Sequence, residues 1–163
     1  MKIAIMGFGN PVRSDDAIGV NVIEALKEKL NDAEHVSLFD MGTAAFEVLF
    51  QLEGHQKIIL VDAVVNSGEP VGTVFKVPAE EVLAAPENNP LVFLHNIKWN
   101  QALSYAKQIL KDDYPEDIQV YLIAIENTKL EVGVSPAVAA AGEKVTGLIL
   151  NELNTPNSVV NEI

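Results

Sequence analysis

Cysteine is absent from all 163 residues, which removes disulfides, thiolate metal sites and a cysteine nucleophile. Basic residues are scarce: 11 Lys and Arg stand against 23 Asp and Glu, for a formal net charge of −12. Such a surface repels phosphate backbones and offers no basic stripe for counterion release, so nucleic acid is not an expected partner. It favours solubility and attracts cations or basic partners, although most of the acids are simply solvated surface. Long apolar runs are missing too. Stretches such as Ile58-Ile59-Leu60-Val61 have the length of a strand and fall far short of a membrane span. The amino-terminal stretch has Lys2 and a short apolar run closing in a glycine turn, without the layout of a signal peptide. The cytoplasm is therefore the expected compartment, with no membrane partner.

What is present is the composition of a globular domain, 48% hydrophobic and 21% charged. The expected organisation is one domain over residues 1–153 and a frayed tail over 154–163. Strand and helix patterns alternate without repeats. Residues 2–7 read as a buried strand, and residues 16–30 as a helix with Ile18, Val22, Leu26 and Leu30 on one stripe. Val36–Phe39 reads as a short strand ending at Asp40. Residues 43–53, with Thr43 as cap and Phe46, Leu49 and Phe50 as apolar positions, read as a helix stopped by Gly54. Lys57–Val61 is the most strongly apolar strand, with Asp62 at its carboxyl end. There follow a strand at Thr73–Val77, a helical piece at Ala79–Ala84, a loop at Pro86-Glu87-Asn88-Asn89-Pro90 and a helix over 97–111. Gln119–Ile125 is another strand, and Ser135-Pro136 is a cap and first-turn pair for a last helix over 136–153. This alternation predicts an α/β fold: a single three-layer α/β/α domain, its twisted, mostly parallel sheet carrying helices on both faces.

The most informative segment is Gly7-Phe8-Gly9-Asn10-Pro11-Val12-Arg13-Ser14-Asp15-Asp16-Ala17-Ile18-Gly19, between the first strand and the first helix. Its opening glycines suggest a dinucleotide turn, but Val12 stands where a third glycine belongs. Asp15 and Asp16 also occupy the helix end at which a phosphate would sit, and their charge repels one. The turn is built to present oxygen ligands or an acid/base. Adjacent helical residues diverge by about 100°, so the two acids are poorly placed to share one proton. Ser14 reads as the cap of the helix that follows.

In open α/β sheets, ligands bind beyond the carboxyl ends of the strands. Asp15 and Asp16, Asp40 and Asp62 each follow or end a different strand, so carboxylates converge on one edge. His35 and His55 read as surface or turn residues. His95 ends the apolar run Leu91-Val92-Phe93-Leu94 and precedes a helix, where it serves either as a structural residue or as a nitrogen ligand. One imidazole with two carboxylates suits a borderline divalent metal and leaves open positions. The chain has neither a His-Glu-x-x-His helix nor a Gly-x-Ser-x-Gly elbow.

These residues resemble the hydrogenase maturation proteases, endopeptidases that process the large subunit of nickel-iron hydrogenases. The pattern Gly7-x-Gly9-Asn10, then Asp15-Asp16 and Gly19, is similar to that family's signature. Asp40-Met41-Gly42-Thr43-Ala44, Val61-Asp62-Ala63, Leu94-His95-Asn96, and Ile125-Glu126 with Gly133-Val134-Ser135-Pro136 resemble its later motifs in order. Met41 replaces a glycine, and Ala45 stands where another glycine is common. The resemblance implies a metal-binding and catalytic triad of Asp16, Asp62 and His95, with Asp40 in a supporting role. It also implies nickel carried by the substrate, no organic cofactor, and as partner a large-subunit precursor that is activated by removal of its C-terminal extension. A monomer is the simplest expectation.

Three alternatives stand beside this reading. A plain metabolite-binding α/β domain explains the fold but leaves the carboxylates at the phosphate position unexplained. A nickel-binding assembly chaperone would keep the same ligands without cleaving. A peptidyl-tRNA hydrolase shares the Gly7-Phe8-Gly9-Asn10-Pro11 turn, but it carries a histidine where this chain has Asp15-Asp16, and its tRNA substrate conflicts with the acidic charge.

Overall fold

The computed structural model describes residues 1–30, 33–84 and 99–154. Over these the chain runs β1 (Ile3–Phe8), a 3-10 turn (Ser14–Ala17), α1 (Ile18–Lys29) and β2 (Val36–Gly42). It continues through a 3-10 turn (Ala45–Glu47), α2 (Val48–Gln51), β3 (Lys57–Val64), β4 (Val74–Pro78) and α3 (Ala79–Ala84). The remaining elements are α4 (Trp99–Leu110), a 3-10 turn (Lys111–Asp113), β5 (Asp117–Ala124) and α5 (Pro136–Asn154). The loop expected around Pro86–Pro90 and nearly all of the expected tail lie outside the described residues; Asn154 itself belongs to α5.

Alternation along β1, β3 and β5 decides the layering, because successive strand side chains point to opposite faces. Ile3, Ile5, Ile59, Val61, Tyr121 and Ile123 go to one face, while Ala4, Met6, Ile58, Leu60, Val120 and Leu122 go to the other. Strands apolar on both faces need cover on both. Helices α1 and α5 supply it on the first face through Ile18, Val22, Leu26, Val138, Val145 and Ile149. Helices α2, α3 and α4 supply it on the second through Val48, Val82, Leu103 and Ala106. The arrangement is the three-layer α/β/α domain that the sequence predicts. Among the described residues, no helix is long and apolar enough to cross a membrane.

The sheet order is β2-β1-β3-β5-β4, with only β4 antiparallel to its neighbour. The chain leaves β1 for β2 on one side, then returns to place β3 on the other side of β1. The carboxyl ends of β1 and β3 therefore flank the point where strand order reverses, which is where a crevice opens in such sheets.

Helix α1 starts almost in backbone contact with this point. A Cβ on Gly19 would collide with the carbonyl oxygens of Phe8 and Val61, and one on Gly9 would collide with that of Asp16. Gly9 also holds φ at +148°, a conformation that side-chain-bearing residues rarely adopt.

Several local expectations fail for tertiary reasons. The second strand runs on through Asp40 to Gly42, since pairing with β1 continues past a bulge. The helix expected over 43–53 is a 3-10 turn and a short α2, entered without a Thr43 cap. It buries Val48 and Leu52, while Phe46 and Phe50 are 51% and 68% exposed.

At the opposite end of the sheet from the crevice, α5 is tied down by charge. Glu152 lies 2.6 Å from Lys76 Nζ and 2.9 Å from Lys57 Nζ, and the Tyr121 hydroxyl donates to it at 3.2 Å. Burial pushes the Glu152 carboxyl up, but hydrogen bonds and charge from Lys76 and Lys57 outweigh it and hold the group below its ordinary value.

Two predictions follow from this packing. Gly19→Ala should destabilise the fold by roughly 1–3 kcal/mol or more, because the added methyl meets backbone that cannot yield; urea unfolding measures it. Glu152 binds fewer protons folded than unfolded, so its contribution is complete above the ordinary glutamate range and is lost as pH falls below it. Urea midpoints between about pH 7 and about pH 3 should therefore fall less steeply in Glu152→Gln than in wild type, once the variant's lower starting stability is subtracted.

Candidate active site

The segment after β1 folds around its own polar groups. Asn10 Oδ1 accepts the Val12 N–H at 3.1 Å, and the Arg13 N–H donates to the Asn10 carbonyl at 3.0 Å. Ser14 sits at a positive φ of 52° and opens the 3-10 turn that carries both acids. Its hydroxyl does not cap the helix; it donates to the Lys129 carbonyl at 2.8 Å. Backbone bonds from Ser14 to Glu131, Glu131 to Val12 and Asp15 to Asn127 stitch the strap after β5 onto this turn.

The paired acids part ways. Asp15 is 2% exposed and accepts the Ser135 N–H at 2.6 Å and the Ser135 hydroxyl at 3.0 Å. It fixes the start of α5, where a negative charge is favoured by the helix dipole. Ser135, expected to cap that helix with its hydroxyl, gives the hydroxyl to Asp15 instead. Asp16 turns the other way, accepts the Asn10 N–H at 2.9 Å, and lines a cleft of about 300 Å³ at the strand-order reversal.

Asp62 reaches the same cleft from the last turns of β3. Its Oδ1 accepts the Ala63 N–H at 2.8 Å and its Oδ2 accepts the Trp99 indole N–H at 3.0 Å. Phe8, Gly42, Thr43, Val64 and Trp99 supply more of the wall. Arg13 brings a cation to the rim, where its guanidinium donates to the Thr128 carbonyl at 3.3 Å. Two carboxylates in a concave, largely apolar site can hold a divalent cation or take a proton from water.

The structure thus brings Asp16 and Asp62 together and leaves Asp40 apart. Asp40, near the end of β2, is exposed, does not line the cleft and accepts the Gly42 N–H at 2.9 Å. Met41, the departure from glycine, is buried in the core beneath α2 and α4, while Gly42 takes the positive φ of 52°. His95 lies outside the described residues. Among the described residues, no group of three or more His, Asp or Glu gathers as a metal site. His55 Nδ1 bonds the Gln51 carbonyl at 2.9 Å, away from the cleft, in keeping with its reading as a turn residue. Trp99 carries no motif that marks it as a site residue in the sequence; the available clue is that the N–H of a buried indole needs an acceptor.

The family profile described as hydrogenase maturation protease matches residues 20–152. The chain is 28% identical over 153 residues to the Hydrogenase 2 maturation protease of Escherichia coli (strain K12), across 94% of this chain and 91% of that one. It is 30% identical over 162 residues to the coenzyme F420 hydrogenase subunit delta of Methanothermobacter thermautotrophicus, across 93% and 94% of the two chains. The fold superposes on the hydrogenase maturating endopeptidase HybD from E. coli with a TM-score of 0.76 at 26% identity, covering 94% of this chain and 92% of that one.

The division of labour between the two acids is testable by stability alone. Ser135→Ala removes one of the two donors to the buried Asp15 and should cost about 1–3 kcal/mol, whereas Asp16→Ala, at the cleft, should cost less than about 1 kcal/mol. Equal losses in chemical denaturation would contradict the assignment.

Proposed function

Because the chain belongs to the hydrogenase maturation protease family, a family of peptide hydrolases, we propose that it cuts the C-terminal extension from a nickel-loaded large-subunit precursor of a nickel-iron hydrogenase. The observation that carries the proposal is the meeting of Asp16 and Asp62, delivered by separate strands, on one cleft at the strand-order reversal. His95 is assigned to the same ligand set on the strength of the family motif Leu94-His95-Asn96. The nickel belongs to the substrate. Two carboxylates and an imidazole would take up open coordination positions on it and so bring the neighbouring peptide bond into the cleft. A precursor without nickel offers nothing for these ligands to hold.

The cleavage itself needs a water brought to nucleophilic strength, by a carboxylate acting as general base or by the ion. The water oxygen adds to the scissile carbonyl carbon, the carbon–nitrogen bond breaks, and the proton taken from water ends on the departing amine. The reading carries with it a monomeric, cytoplasmic enzyme with no organic cofactor, whose product is a large subunit free to complete assembly.

Intact mass of a precursor incubated with the protein tests this reading. Loss of one C-terminal peptide is expected only when the precursor carries nickel. Asp16→Ala and His95→Ala should slow that loss by at least about 100-fold, the scale of losing a ligand or general base. Nickel-dependent complex formation without any change of mass would instead favour the non-cleaving chaperone.

A further inference from the structure

We propose that Trp99 is a positioning residue for Asp62: its indole N–H holds the carboxylate in the one orientation in which it meets a metal ion in the cleft. The proposal rests on the reading of Asp62 as a metal ligand. Trp99 is the only tryptophan in the chain and the first residue of α4. It is 1% exposed, yet it forms part of the cleft wall. Its ring is held against Phe8 of β1 at a centroid distance of 6.2 Å and a tilt of 30°. Packing therefore fixes where the N–H points, and the N–H points at Asp62 Oδ2, 3.0 Å away.

The other carboxylate oxygen is held independently. Asp62 Oδ1 accepts the N–H of Ala63 at 2.8 Å, a donor supplied by the backbone of β3 itself. Because Ala63 holds Oδ1 and Trp99 holds Oδ2, rotation of the carboxylate about its Cβ–Cγ bond would disturb both hydrogen bonds at once. A ligand fixed in this way needs less ordering when the ion arrives, which is the general effect of groups that hydrogen-bond metal ligands. Filling the core beneath the cleft needs only a large apolar side chain, and Leu or Phe would serve. The N–H is the part of Trp99 that packing does not account for, because an indole donates and cannot accept.

The arrangement also gives the protein a spectroscopic handle. The lone indole stands one hydrogen bond from the proposed ligand, so an open-shell ion held by Asp62 should quench its fluorescence.

The test compares wild type, Trp99→Phe, and protein in which tryptophan is replaced biosynthetically by benzothienylalanine, whose sulfur takes the place of the N–H. A single tryptophan confines that exchange to this position. Ni²⁺ alone is the probe, its affinity read by competition with a chromophoric chelator and, in wild type, by quenching. Thermal melting in excess chelator checks that each protein is folded. Both N–H-deficient proteins should bind Ni²⁺ roughly 10–100-fold more weakly while still melting cooperatively. Unchanged affinity in both overturns the proposal, and so does a loss in Trp99→Phe that benzothienylalanine restores, since packing would then be the cause. Absence of Ni²⁺ binding by folded wild type overturns it as well.

Precursor cleavage by wild type, run in parallel, decides the maturation reading separately. Cleavage with unchanged variant affinities leaves that reading standing and removes the role of Trp99. Weakened variant affinities without cleavage do the reverse.

Discussion

The backbone crossing of α1 over β1 and β3 is the contact from which the site is built. Gly19 lets the helix come down onto the carbonyls of Phe8 and Val61, and Gly7 and Gly9 clear the strand side of the same crossing. On the helix side, the Gly19 backbone and the Ile23 side chain press directly onto Gly7. As a result the 3-10 turn preceding α1 is pressed into the gap between the ends of β1 and β3, which is where strand order reverses. Asp16 sits on that turn, and Asp62 is the residue after Val61, whose carbonyl the helix touches. The distance between the two carboxylates is thus set by backbone packing, and any residue larger than glycine at the crossing would push the turn away from β3.

The same crossing explains why two adjacent acids do different work. A turn held this tightly leaves its neighbouring residues facing opposite environments. Asp15 is directed into the protein, where the start of α5 offers both a backbone N–H and a hydroxyl. Asp16 is directed into the cleft, where it accepts the Asn10 N–H. The buried acid joins the first turn to the last helix across 120 residues of sequence, and the strap over 127–131 reinforces that join through backbone bonds to Val12, Ser14 and Asp15. The far end of α5 is held by the Glu152 network with Lys57 and Lys76. Helix α5 is therefore clamped at both ends by carboxylates, one held by the N–H and hydroxyl of Ser135 and the other by ammonium groups.

Much of this was legible in the chain. Strands apolar at every position, spaced by helical stripes, implied a parallel sheet between two helix layers, and Asp16 and Asp62 were readable as strand-end acids in a shared crevice. What escaped were features whose partners are distant in sequence. Ser14 and Ser135 carry the local signature of helix caps, but each hydroxyl has a tertiary partner, Lys129 and Asp15, that outcompetes the helix end. Phe46 and Phe50 look like the buried face of a helix, but α2 is too short to keep that phase and buries Val48 and Leu52 instead. Asp40 matched Asp62 in position along its strand. It differs because β2 lies at the sheet edge, on the far side of β1 from the reversal, and its carboxylate accepts the Gly42 N–H. The link from Trp99 to Asp62 spans 37 residues and two elements, so no periodicity could reveal it.

On the proposed function, discrimination between loaded and empty precursors has two sources. The attractive one is coordination of the substrate's nickel by ligands already in place. The second is a penalty. A precursor that closes over the cleft without nickel would desolvate Asp16 and Asp62, two carboxylates lining one cleft, and like charges out of water repel strongly. A site that leaves its own polar groups unpaired against the wrong substrate rejects it far more steeply than one that merely lacks a favourable contact. Arg13 at the rim does not remove this penalty, because its guanidinium is exposed and turned to the Thr128 carbonyl.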